Sequence, residues 1–419
     1  NGNITVTGVI TGKFDVFINT SGSGAITLSG AISTDAGSGD IFIKSTTGNI
    51  VTSGSISTSG ANANIEIDTA TSGNVTIGGN VSTSGGDIFL GADSTSSASG
   101  TGSLTINGTV FTTGSFSGDV AIGTGGTGTV TVNKAISSDT GNIFLLAVGN
   151  QTNALNFSKD ATITSGVGVV FRTTGPANTI SLASGANITA VEGVTDDISG
   201  TGILNLASNI NVTNPSFAVG IQLDNVSINL TGPVSMNVAS TSNPSNGLIK
   251  LRNVNGAQNL TLEATGVITL LGSVGQSTPL GTVTVTNSAD VNSNIGLSAA
   301  SLVLTDTTGS ISFSGTTVIS KSLTTAAKNY NLDFSGTTTI AGNPVFLNTG
   351  ATIFSGTTSF SSGATIVGNA TSLVGLDGTI VSDGAFNIGV PGNTGLVDIF
   401  NNTQLILNSS SAISTIANP

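Results

Sequence analysis

A chain of 419 residues with no Cys, no His and a formal net charge of −12 is barred from several chemistries at once. Zinc, haem, iron–sulfur and thiol sites lack their usual side chains, and a disulfide scaffold and a His-based nucleophilic triad are equally unavailable. Nine Lys and Arg against 21 Asp and Glu argue against nucleic acid, which needs clustered positive charge.

Gly occurs 58 times and only 7% of residues are charged, against about 25% in ordinary globular chains. Disorder does not follow, because 37% of the residues are apolar and the mean hydropathy is +0.34. Ile, Val and Leu recur at regular intervals and supply what a disordered chain lacks. No run approaches the ~20 apolar residues of a membrane helix, and no signal peptide is recognisable. The abrupt start at Asn1 reads as a mature or excised piece of a longer precursor.

The predicted elements repeat. Asp15 opens DVFI, Asp40 DIFI, Asn64 NIEI, Asp87 DIFL, Asp119 DVAI and Asn142 NIFL, at steps of 25, 24, 23, 32 and 23 residues. Between these anchors lie secondary runs such as 24–30 GAITLSG, 74–79 NVTIGG and 103–109 SLTINGT. A third, shorter set includes 31–33 AIS, 55–57 SIS and 81–83 VST. Alternation of period two dominates and no window has the i, i+3, i+4, i+7 pattern of a helix.

The pattern is less regular from 191 to 258, where Pro215, Pro233 and Pro244 fall. FSGTT then recurs at 313–317, 334–338 and 354–358. The division expected is 1–190 regular coils, 191–258 irregular coils with longer loops, and 259–419 coils of ~20-residue period.

Hairpin proteins repeat every two strands. Here the first word returns after three, so each strand should pair with its counterpart one repeat away. The fold class expected is all-β: a parallel β-helix (β-solenoid), right-handed, with three short strands and ~20–25 residues per coil. Strands are short because a face is three to five residues wide, and the corner glycines are expected to meet a need for positive φ. The core ladders should be Ile41, Ile65, Ile88 and Ile143 with Val16 and Val120, and Ile43, Ile67, Leu90 and Leu145 with Ile18 and Ile122. Each buried side chain contributes about 1.5–3 kcal/mol.

Repeated G-[DN]-[IV]-x-[IL] runs, followed by N-[IV]-T-I-x-G and a short third strand, resemble the repeat regions of filamentous-haemagglutinin-like and autotransporter-type bacterial surface exoproteins. The resemblance covers most of 1–187 and part of 310–373. It implies a β-solenoid at the cell surface, with this segment as stalk; no secretion-domain signature is present.

Between the two inward ladders lie Phe17, Phe42, Glu66, Phe89, Ala121 and Phe144, which alternation points outward. Exposed apolar area in register marks an interface, so Phe17, Phe42, Phe89 and Phe144 are the interface candidates. The alternative is that a loop, or a coil thick enough to bury both sides, covers them. Asp15, Asp40, Asp87 and Asp119 are the candidates for a calcium ladder, since stacked carboxylates repel and invite a cation. Against this, Asp or Asn at a turn usually accepts a local backbone N–H, a role that Asn64 and Asn142 fill equally well. No other cofactor is expected.

A β-helical polysaccharide-degrading enzyme would need converging carboxylates and bases. Only Asp196 with Asp197, and Lys250 and Arg252 with Asp224, come near that. The reading is therefore a non-enzymatic, secreted, extracellular structural protein, an adhesin stalk or surface fibre. A self-assembling subunit of a filament or sheath is the alternative. Partners would be further copies, lateral or end to end, or cell-surface and matrix components.

Overall fold

The computed structural model describes residues 2–408 except 36, 38, 93–100, 126, 148–153, 174, 176, 198–201, 368–371, 390–395 and 401, together with 415–416. The protein is all-β, 55% strand and 1% helical, and its parallel stacked coils form a β-solenoid of about 24 residues per turn. Two compact units are resolved: one of 1–213 with 225–229, the other of 214–224 with 230–419.

In the first unit each turn has the three short strands that the repeated words predict, as in Ile26–Leu28, Ile32–Thr34 and Ile41–Ser45. Every strand pairs in parallel with its counterpart one turn on. Ile41 lies beside Val16 and Ile65, Ile65 beside Ile88, Ile88 beside Val120, and Val120 beside Ile143. Ile43, Ile67, Leu90, Ile122 and Leu145 form the second file and are fully buried. Because equivalent positions stack, each Ile, Val or Leu of these files meets another aliphatic side chain of similar size. The core is thus a one-residue solution repeated.

The repeat glycines have a different cause from the one expected. Gly24, Gly48, Gly73, Gly102 and Gly128 form one corner file, and none has positive φ. A Cβ built on Gly48 would instead run into the carbonyl of Gly24, and one on Gly73 into the carbonyl of Gly48. Gly30, Gly54, Gly79 and Gly108 repeat the relation at a second corner. Glycine is needed there because one backbone lies directly on the next. Left-handed φ is confined to other positions, such as Gly22 at 82° and Gly114 at 111°.

Buried hydroxyls close the corners. Thr34 Oγ1 donates to the Gly39 carbonyl at 2.7 Å, Thr58 to Ala63 at 2.9 Å, and Ser165 to Gly141 at 2.8 Å. A corner carbonyl that cannot reach a neighbouring amide is satisfied from inside the coil, as a buried polar group must be.

In the second unit two faces often run together in one longer strand, as in Gly296–Leu304 and Thr316–Thr325. Their pairing shifts register between Ala299 and Ser301. TTVISKSLTT has no Gly or Pro with which to make a corner, so the chain bends through a bulge instead. FSGTT has a simple meaning here. Phe313, Phe334 and Phe354 point inward and stack at 5.2 and 5.5 Å, with Phe346 and Phe360 edge-on to Phe354. Gly315, Gly336 and Gly356 make a close-stacked corner, and Thr317, Thr338 and Thr358 turn inward after it.

Candidate functional site

The face of the first unit that has the longest strands, most of them of five residues, is formed by eight strands. In order they are Val16–Thr20, Ile41–Ser45, Ile65–Thr69, Ile88–Ala92, Val120–Thr124, Ile143–Ala147, Gly168–Thr173 and Gly193–Asp196. Its outer surface has two files. One runs Phe17, Phe42, Glu66, Phe89, Ala121, Phe144, Val170, Thr195. The other runs Asn19, Lys44, Asp68 along the first strands and Gly91, Gly123, Leu146, Arg172 along the later ones, with Asp68, Gly91 and Gly123 buried.

Phe17 is 62% exposed and stacks on Phe42 with centroids 5.0 Å apart and planes 10° from parallel. Phe42, Phe89 and Phe144 are half-buried, whereas the Ile and Leu on either side of each are fully buried. Part of the cover comes from the face itself. The Phe89 ring lies where a Cβ on Gly91 would stand, and Leu146 does the same to Gly123. Lys44 Nζ is 2.7 Å from Glu66 Oε2 and 5.7 Å from the Phe42 centroid. The file is therefore an apolar band whose rings lie along the sheet, interrupted by one ion pair.

The anchor column is a chain of side-chain-to-backbone bonds. Asp15 Oδ1 accepts from the Asp40 amide at 3.0 Å, Asp40 Oδ1 from Asn64 at 2.7 Å, and Asn64 Oδ1 from Asp87 at 2.7 Å. Asp87 Oδ1 then accepts from Asp119 at 2.8 Å, and Asp119 Oδ1 from Asn142 at 2.7 Å. In return each anchor carbonyl takes the first strand amide of the turn before, as Asp40 does from Val16 at 2.8 Å. Asp and Asn serve alike because the bond to the next turn's amide needs only Oδ1. This is the backbone-acceptor role, extended from one turn to the next.

Asn49, Asn74, Asn187 and, in the second unit, Asn259 hold the following turn in the same way. Among the described residues no three His, Cys, Asp or Glu side chains gather into a group that could hold a metal ion.

Asp196 and Asp197, adjacent in sequence, do not act together. Asp196 Oδ2 accepts from the Asn225 and Val226 amides at 2.8 and 2.6 Å, while Asp197 Oδ2 takes Arg172 Nε at 2.6 Å. In the second unit Lys250 is half-buried and Arg252 exposed along Ile249–Asn255. Asp333, an outward carboxyl accepting from Ser355 Oγ at 3.3 Å, has its pKa raised by burial. The corner hydroxyls and the close-stacked glycines escaped the sequence reading, although the Thr that ends each IST word was a visible signal for the former.

No protein-family model, no curated protein and no solved structure matches the chain, so the architecture and this surface carry the functional reading.

Proposed function

We propose that the chain is a non-enzymatic structural protein of the cell surface, a stiff β-solenoid segment that serves as an adhesin stalk or fibre component. The observation that carries this is the anchor column, where each Asp or Asn is committed to the amide of the next turn. A load along the coil stack is shared by parallel backbone ladders, side-chain bonds and stacked apolar files, all repeating turn by turn. The stacked Asp and Asn of the anchor column are engaged in holding turns together.

The test is antibody labelling of intact source cells, with electron microscopy of the native material. Surface label on thin isolated projections supports a stalk; label confined to the cell interior refutes the proposal. A second reading, a self-assembling filament or sheath subunit, is favoured by the outward phenylalanine file, and regular multi-copy fibres in the same images would select it.

A further inference from the structure

The outer surface of the long face in the first unit is self-complementary about one point. Number its strands one to eight from Val16–Thr20 to Gly193–Asp196. Ala121, the smallest residue of the first outer file, sits on strand five, two residues before Gly123, which Leu146 covers. One strand away on either side are Phe89 with Gly91, and Phe144 with Leu146. Two strands away are Glu66 with Asp68, and Val170 with Arg172. Three strands away are Phe42 with Lys44, and Thr195 followed two residues later by Asp197.

We propose that this face is a two-fold interface between two copies of the chain, packed with coils antiparallel about an axis running along Val120–Thr124. Such an axis keeps each outer file opposite itself and reverses the order of strands. Phe89 of one copy then faces Phe144 of the second, and Leu146 lies against the Phe89 ring that covers Gly91. The Arg172–Asp197 ion pair of one copy comes over the Lys44–Glu66 ion pair of the second in the opposite sense, Arg172 over the strand of Glu66 and Asp197 against Lys44, while Asp68 on that strand is buried. Ala121 meets itself on the axis, where a larger residue would collide with its own copy. Both basic groups keep exposure with which to reach across, 42% for the Lys44 side chain and 50% for Arg172.

The charges select this arrangement over its neighbours. A two-fold along the coil stack sets Lys44 on Lys44 and Arg172 on Arg172 if it passes through their file, or Lys44 on Phe42 and Arg172 on Val170 if it lies between the files, so neither comes opposite an acid. Moving the antiparallel axis by one strand sets Lys44 against Leu146, or Arg172 against Gly123. An axis midway between strands pairs Lys44 with Arg172, or sets Arg172 over the strand of Phe89 and Gly91, where no acid stands. Of these, only the axis through strand five sets Lys44 against Asp197 and Arg172 over the strand of Glu66 while Phe89 meets Phe144. Closed two-fold contact of one surface with itself is the commonest form of homo-oligomer, and aromatic pairs desolvated at the centre are where such interfaces gain most. The pairing concerns this face alone and stands whether the chain is a stalk or a filament subunit.

The absence of native cysteine makes the test direct. In the full chain, Ala121→Cys should be joined to itself in high yield by a short bis-maleimide, at protein concentrations where sedimentation shows dimer. Thr105→Cys, outward on another face, is the control and should remain single. Phe89→Ser with Phe144→Ser should weaken the dimer by about tenfold or more, equivalent to about 1.4 kcal/mol, with the far-ultraviolet dichroism unchanged. Added salt should weaken the wild-type dimer further. The proposal falls if Ala121→Cys links no better than Thr105→Cys, or if the wild-type chain sediments as a monomer throughout. It also falls if the double serine variant unfolds, because those rings are then core.

Discussion

Gly48→Ala separates the close-stacking role of the repeat glycines from a conformational one. Gly48 is buried at a corner, without positive φ, between Gly24 and Gly73 in the same file. The added methyl is conformationally acceptable and favours folding slightly through the unfolded state. Its position, however, falls on the Gly24 carbonyl, and the Ser45 hydroxyl at 2.9 Å hems it in from the side. Both neighbours are held: Ser45 Oγ accepts from the Gly48 amide at 2.9 Å, and the Gly24 carbonyl accepts from Thr20 Oγ1 at 2.8 Å. Relief requires the two turns to part locally, against the ladders on both adjoining faces.

Overpacking of this kind costs about 1–3 kcal/mol. For a cooperative unit of this size each kcal/mol lowers Tm by about 2–4 °C, so a fall of several degrees is expected. Thermal unfolding followed by circular dichroism, with Ser53→Ala as an exposed corner control within about 0.5 kcal/mol of wild type, is the assay. A Gly48→Ala protein as stable as that control would refute the close-stacking account.

Three further outcomes follow from the same geometry. Ile43→Asp places an unpaired charge in the file between Ile18 and Ile67 and should prevent the first unit from folding, read as loss of the strand signal in dichroism and of protease resistance. Asp119→Asn should be close to neutral, because Oδ1 remains to accept from the Asn142 amide, whereas Asp119→Ala should cost about 1 kcal/mol. Equal losses for both, together with calcium-dependent stability that chelation removes, would instead place a cation on the column. Asp333→Asn should raise Tm at neutral pH. Its folded pKa is raised above the unfolded value, so the wild-type chain loses stability as pH climbs from the ordinary carboxylate range through the higher folded value. Below that window the gain should disappear, and a pH-independent difference would contradict the assignment.

The phase of each apolar word, readable from the letters, decides which way a phenylalanine points. In DIFI the ring sits between two isoleucines and lies outside, as Phe42 does. In SISF it follows the isoleucine by two and lies inside, as Phe313 does, and it then stacks with its own copies one turn away. The return of Asp or Asn at each anchor likewise fixed the turn, since a residue that recurs once per repeat must stack on itself when strands pair with their counterparts. Period and alternation are local properties, and short strands with one buried face leave no other register.

Distances between successive turns are not local, and the remainder depended on them. The corner glycines were assigned to positive φ from sequence, yet Gly48 is there because the Gly24 carbonyl leaves no room for a methyl. Asp196 and Asp197 look like a pair in the chain, but one bonds the Asn225 and Val226 amides and the other Arg172. Nor could composition show that Phe89 lies over Gly91 or that Thr34 closes the Gly39 corner. The sequence by itself determined a coil of three faces and the side each residue takes. Which backbone touches which, and what each polar side chain then has to satisfy, was decided only when the turns were stacked.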